Sequence, residues 1–263
     1  MSSSTGKPVL WHLPVSHYSE KVRWALDHKR IEHERRAGLG GAHMVIAGVL
    51  TRGQSKTFPV LRLEGKAIGD SSAIIAALER YRPERPLYPE DPDEQRRALD
   101  LEDYFDENLG PAVRLFGWHH LRRDSELLGK VTEKNLPGPV RDFGPARAGV
   151  NSFASTFANL RFKVAEPAAE EEARRVINEC LDRLEAELGD GDHLVSDSFS
   201  VADLTAAALL YPLVLPAEGP QAIQGVPATA KAYEQELLER SSYAWVERTF
   251  AKYRKPVREP AAV

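Results

Sequence analysis

The stretch Val9 to Leu26, VLWHLPVSHYSEKVRWAL, decides how the chain is read. Val9 to Leu13 form a short, mostly apolar run suited to a buried strand. Pro14 punctuates the turn after it, and Val22, Ala25 and Leu26 then recur at the helical period of about 3.6 residues. Between strand and helix stand two hydroxyls, Ser16 and Ser19, followed by Lys21 and Arg23. A strand that enters a helix through polar residues leaves the first helical N–H groups unpaired and the positive end of the helix dipole facing outward. Such a place stabilises an anion or a thiolate, so a reaction centre is expected near the start of the chain.

Outward from this stretch, Ile31 to Arg36 reads as a second, edge-like strand, Gly38 to Gly41 as a link, and Ala42 to Leu50 as a weak helix before the polar Thr51 to Thr57. Phe58 to Leu63 is a strand that turns at Glu64-Gly65-Lys66 and returns along Ala67-Ile68-Gly69. Asp70-Ser71-Ser72 supplies capping residues for a helix with an apolar face of Ile74, Ile75, Leu78 and Tyr81. The order strand, helix, strand, helix, strand, strand, helix predicts a small mixed sheet with helices packed on it.

The segment Arg82 to Pro92, RPERPLYPEDP, carries prolines at 83, 86, 89 and 92 and cannot continue a helix or a central strand. It divides the chain into domains over 1–84 and 93–263, with 85–92 as the linker. Beyond it the pattern is helical: Gln95 to His120, Asn151 to Val164, Glu170 to Leu188 stopping at Gly189, Ala228 to Arg240 and Ser242 to Tyr253. Gly129 to Gly149 reads as an exposed connection with little structure of its own. In Phe199-Ser200-Val201-Ala202-Asp203-Leu204, Ser200 caps a helix, Asp203 reaches back to the Ser200 N–H, and Phe199 and Leu204 are placed for a hydrophobic staple.

The 263 residues are 42% hydrophobic, enough for a sizeable core, and 35 basic against 39 acidic residues are mixed along the chain with a net charge of -4. Without a basic block, no nucleic-acid partner is expected. One cysteine, Cys180, excludes an internal disulfide and a cysteine-rich zinc site, and the adjacent His119 and His120 face different directions on a helix, so no metal is expected. The longest apolar run, Leu204 to Leu215, is short of the roughly 20 residues of a membrane span and is broken by Pro212. Met1 to Pro8 lacks the apolar core of a signal peptide. No membrane association and a cytoplasmic, reducing location are the expectations.

Four motifs in order, Ser16-His17-Tyr18-Ser19-Glu20-Lys21-Val22-Arg23, Thr57-Phe58-Pro59-Val60-Leu61, Asp70-Ser71-Ser72-Ala73-Ile74 and Ser200-Val201-Ala202-Asp203, resemble those of the glutathione S-transferase superfamily over about residues 8 to 252. The resemblance implies an α/β thioredoxin-like N-terminal domain followed by an all-α C-terminal domain. It further implies a homodimeric, metal-free enzyme that uses glutathione as co-substrate against a small electrophile. It does not fix the reaction among conjugation, isomerisation, dehalogenation and peroxide reduction.

A free thiol has a pKa of about 8.5, and lowering it by about two units takes ~2.7 kcal/mol. One hydroxyl hydrogen bond to the thiolate, at ~1.5 to 3 kcal/mol, with a helix N-terminus at ~0.3 to 1, suffices. The resemblance puts Ser16 in the thiolate-stabilising place and Ser19 one turn further in; as residue types both are equally good helix caps. His17 stands where many relatives carry proline.

The resemblance also implies a cis Phe58–Pro59 bond that presents the backbone of Phe58 to the cysteinyl part of glutathione, while Asp70 and Ser71 hold the ammonium and carboxylate of its γ-glutamyl end. Lys56, with Gln54 and His43 as alternatives, answers the glycine carboxylate. The electrophile pocket is expected along Tyr104, Asn108, Arg114, Phe116, Trp118 and His119. Serine in both places where a reductase of this superfamily needs a nucleophilic cysteine sets disulfide exchange aside. The reading that competes with an enzyme is a transferase-like fold kept to bind an apolar ligand or a protein partner.

Overall fold

β1 (Val9–His12) is buried along its whole length and is the axis of the N-terminal domain. In the computed structural model, which describes residues 6–38, 42–133, 164–223 and 225–255 with isolated positions between 149 and 160, β1 feeds α1 (His17–His28). That helix crosses to β2 (Glu34–Ala37), parallel to β1 with Val9 opposite Glu34. β3 (Val60–Leu63) lies antiparallel on the other side of β1, with Leu10 opposite Leu61, and turns back as β4 (Lys66–Gly69), giving the order β2-β1-β3-β4.

The strand period of two sorts the side chains. Leu10, Leu61 and Leu63 join Val22 and Leu26 of α1 and Ile74, Ile75 and Leu78 of α3 (Ser71–Tyr81) in the main core. Val9, Trp11 and Val60 face the other way, onto Phe58 and Ala47 of α2 (Ala42–Leu50). Every strand differs from the sequence reading by at least one bound, β3 starting at Val60 where Phe58 was expected and β4 taking in Lys66. β1 stops at His12 because the Leu13 N–H donates to the Ser19 hydroxyl. β2 begins three residues after Ile31, whose N–H closes the end of α1 on the Leu26 carbonyl while its side chain enters the core.

Asp91 caps α4 (Pro92–Tyr104) by accepting from the N–H groups of Asp93 and Glu94, and Pro92 occupies the first turn, where a missing N–H costs nothing. The continuous helix expected over Gln95 to His120 is three pieces: α4, a π-helical turn at Phe105–Leu109, and α5 (Gly110–Leu121). Pro111 cannot donate in a regular ladder, and the wide turn before it absorbs the mismatch. α6 (Ser125–Glu133) extends into the stretch expected to lack structure from Gly129. The rest of that connection, and the helix expected over Asn151 to Val164, lie outside the continuously described residues.

α7 (Pro167–Leu188) ends at Gly189, whose positive φ of 50° suits a residue without Cβ. α8 (Val201–Val214) is almost wholly buried and packs on α1. Its start is set by the Asp203 carboxylate, which accepts from the N–H groups of Ser200 and Leu194 and from the Ser200 hydroxyl, each at 2.8 Å. Phe199 stacks on Tyr253 and on Trp24 of α1. The last segments are a 3₁₀ turn at Ala228–Ala230, α9 (Lys231–Leu238) and α10 (Ser241–Tyr253). The order is thus a thioredoxin-like domain with a four-stranded mixed sheet, then a helical domain. Among the described residues no helix is long and apolar enough to cross a membrane.

Candidate functional site

Ser16 is the N-cap of α1: its backbone is extended, and its hydroxyl accepts from the Ser19 N–H at 3.3 Å. Among the described residues that hydroxyl donates no hydrogen bond, and Ser16 lines a cleft. The turn that delivers Ser16 is tied at each carbonyl. Leu13 O accepts from Ser16 N at 3.0 Å and from the Arg23 guanidinium at 3.3 Å, Pro14 O accepts from Arg23 at 3.2 Å, and Val15 O accepts from the Tyr211 hydroxyl at 2.8 Å. Ser19 sits differently. It is fully buried, its hydroxyl accepts from Leu13 N at 3.2 Å, and it does not line the cleft.

Arg23 is itself held by a buried charge cluster. Its guanidinium meets Glu20 at 2.7 Å and the Nδ1 of His12 at 2.8 Å, which fixes Nδ1 as acceptor because an arginine only donates. Burial and the neighbouring Arg23 push His12 down from 6.5 to about 3, so it is neutral. Burial works against ionisation of Glu20, but Arg23 and Arg254 outweigh it and hold the carboxyl below its usual range. Arg254, just past α10, reaches Glu20 at 2.6 Å and Asp27 at 2.7 Å. His17, whose ring lines the cleft, is likewise pushed down to about 3 by burial and by Arg114.

A cleft of about 1360 Å³ opens over Ser16. Of the residues expected to bind a tripeptide, Lys56, Phe58, Pro59, Asp70 and Ser71 all line it, as do Gln54 and His43. The Phe58–Pro59 peptide is cis. Thr51 anchors the segment carrying Gln54 and Lys56: its hydroxyl accepts from Ser55 N at 2.9 Å and donates to Ala47 O at 2.7 Å. Asp70 caps α3 by accepting from Ala73 N at 3.0 Å, and Ser71 follows as the first, buried residue of that helix. Two helix N-termini, of α1 and α3, therefore contribute to one cleft.

The helical domain supplies the facing wall. Arg114, Phe116 and Trp118 line the cleft as expected. Tyr104, Asn108 and His119 do not: the Tyr104 hydroxyl turns to Cys180, Asn108 bonds the Tyr104 carbonyl, and His119 is buried. His120 lines the cleft instead, its two nitrogens facing Thr229 and Glu170.

The sequence reading missed how the two domains are locked beneath the cleft. Buried Lys21 Nζ lies 2.6 Å from Asp106, 2.8 Å from Glu102 and 3.0 Å from the Ser72 hydroxyl. Burial pushes the Glu102 carboxyl above its usual range, with Lys21 pulling the other way. Tyr18 donates to the Asp106 carbonyl at 2.7 Å, so its hydroxyl is committed to the π-helical turn. The dipeptide Gly110-Pro111 was the available signal for that turn. The partners of Lys21 and Tyr211 carried none, because they lie far away in sequence.

The profile of the glutathione S-transferase N-terminal domain matches residues 10–86, and that of the C-terminal domain matches residues 167–237. A maleylacetoacetate isomerase of Rattus norvegicus is 37% identical over 97 residues, covering 36% of this chain and 44% of that protein. One of Dictyostelium discoideum is 30% identical over 116 residues, covering 41% and 51%. The chain thus spans about half the length of the curated relatives it matches.

Among solved structures, FzlA from C. crescentus superposes with a TM-score of 0.58 at 23% identity over 98% of this chain and 97% of that one. A glutathione S-transferase of Ceriporiopsis subvermispora in complex with glutathione gives 0.60 at 18% identity over 98% and 100%. At such identities the likeness speaks for the fold. With both domain profiles matched in order and together spanning more than half the chain, the protein belongs to the glutathione S-transferase superfamily.

Proposed function

We propose that the protein is a glutathione-dependent enzyme in which the Ser16 hydroxyl stabilises the glutathione thiolate for attack on an electrophile held against the helical domain. The observation that carries this reading is the state of Ser16: a helix-capping hydroxyl with its proton to give, on a turn tied at three carbonyls, in one cleft with Phe58, Asp70 and Ser71. The charges of the tripeptide find complements there. Ser71 at the N-terminus of α3 suits the γ-glutamyl carboxylate, Asp70 its ammonium, the backbone of Phe58 the cysteinyl unit, and Lys56 the glycine carboxylate.

On ionisation the thiol gives its proton to solvent, and Ser16 donates to the sulfur, with no base required of the protein. Ser19 has no part in this chemistry, since it is fully buried and does not line the cleft. Tyr18 does not replace Ser16, because its hydroxyl donates to Asp106 and burial raises its pKa. Phe116, Trp118, Leu213 and Ile223 give the far side of the cleft an aromatic and aliphatic lining, with Arg114 as the nearby cation. That lining suits a planar, conjugated electrophile. The relatives named as maleylacetoacetate isomerases make isomerisation at an activated double bond the first reaction to test beside conjugation.

The test is calorimetric titration of glutathione into wild type and Ser16→Ala, with turnover of an aryl halide and of a conjugated cis-alkene acid. Wild type binds and turns over; Ser16→Ala binds and turns over about 10- to 100-fold more slowly, the worth of one hydrogen bond to a charged group. Binding without turnover over a broad electrophile panel instead assigns the fold to ligand or partner binding. A homodimer in the cytoplasm is part of the same proposal, and sedimentation of the purified chain checks the dimer.

A further inference from the structure

One bond reaches the Ser16 turn from deep in the helical domain. The hydroxyl of Tyr211, a fully buried residue of α8, donates to the Val15 carbonyl at 2.8 Å. The peptide unit joining Val15 to Ser16 is planar and moves as one piece. Its oxygen is held by Tyr211 and its N–H, that of Ser16, by Leu13 O at 3.0 Å. Turning that plane breaks both bonds, and it would swing the Cα–Cβ bond that aims the Ser16 hydroxyl. Arg23 holds the two preceding carbonyls from inside the N-terminal domain, whereas Tyr211 carries the orientation of α8 directly to the capping residue.

We propose that Tyr211 is a positioning residue for Ser16, setting the direction of the hydroxyl toward the thiolate by clamping the Val15–Ser16 peptide. This rests on the reading of Ser16 as the thiolate's donor. Burial raises the Tyr211 phenol above its ordinary range, so it stays a donor at neutral pH.

Tyr211→Phe keeps the ring and removes only the clamp. With glutathione as probe, the thiol pKa in the complex is read from ultraviolet absorbance of the thiolate against pH, for wild type, Tyr211→Phe, Ser16→Ala and the double variant. Thermal midpoints and circular dichroism confirm that each is folded. The expected result is a rise of about half a pKa unit to one unit in Tyr211→Phe, a three- to tenfold loss of thiolate below the pKa. The KM for glutathione stays within about twofold, as for a loss confined to the activated state. In the Ser16→Ala background the Tyr211→Phe shift disappears, because the two act through one hydroxyl.

A wild-type thiol pKa in Tyr211→Phe, or a shift that persists undiminished in the Ser16→Ala background, overturns the proposal and leaves Ser16 as donor. A wild-type thiol pKa in Ser16→Ala itself removes the donor reading, and the positioning role with it.

Discussion

A hydroxyl that accepts one backbone hydrogen bond still has its proton to give, and Ser16 is in that state at the mouth of the cleft. Ser19 also accepts one, from Leu13, but inside the fold. The two alanine variants therefore separate. Ser16→Ala loses turnover while costing about 1 kcal/mol of stability as a lost cap. Ser19→Ala leaves a buried N–H unsatisfied and costs about 1 to 3 kcal/mol, with activity following the fraction folded. Chemical denaturation beside initial rates checks both; equal stability loss with equal activity loss contradicts the separation. That both serines stand at a helix start was legible in the sequence. Which one lines the cleft came only from the family resemblance, which put Ser16 there, because the Leu13 N–H that occupies Ser19 is delivered only once the turn closes.

The π-helical turn between α4 and α5 is the element the periodicity hid. It brings the Asp106 carbonyl to Tyr18 and the Asp106 carboxylate to Lys21, and it sets Gly110 against the Tyr18 ring. A Cβ on Gly110 would fall 2.1 Å from the Tyr18 hydroxyl oxygen and 2.6 Å from its ring carbon. Gly110→Ala is thus expected to destabilise by about 1 to 3 kcal/mol, the usual cost of overpacking a tight contact, and to lower glutathione-dependent turnover because Tyr18 neighbours Ser16. A melting temperature within a degree or so of wild type contradicts this. The capping segment before α8 was more readable, since Ser200 and Asp203 are local partners whose spacing alone defines the bond. The exposed face of α2, where Val45 and Val49 are largely solvent-accessible, explains why its period looked weak: little of that helix is buried.

Across the whole molecule the domains are joined by buried charge. Lys21 reaches Glu102 and Asp106 in the helical domain, and Arg254 returns from past α10 to Glu20 and Asp27 of α1. The order of the four sequence motifs identified the family and the two-domain plan. The ion pairs between domains stayed hidden because each joins residues whose proximity depends on the finished fold. Lys21→Met strands two carboxylates beside an apolar group and is expected to cost about 3 to 5 kcal/mol, read from the denaturation midpoint; a loss below about 1 kcal/mol contradicts the lock.

Burial lowers His12 and His17 from an ordinary 6.5 to about 3 and His28 to about 4, so the unfolded chain binds more protons below 6.5. Stability is complete above 6.5 and falls as pH drops through the window, by up to about 1.4 kcal/mol per pH unit for each histidine. A thermal midpoint that stays flat on acidification below 6.5 contradicts the buried neutral state.

The proposed activity depends on a serine proton meeting a sulfur anion. The most direct measurement is the spectroscopic titration of the glutathione thiol bound to wild type and to Ser16→Ala. Expected are a bound thiol about two pKa units below its free value of about 8.5 in wild type, and recovery of at least about one unit on loss of the hydroxyl. The same thiol pKa in both proteins would contradict it.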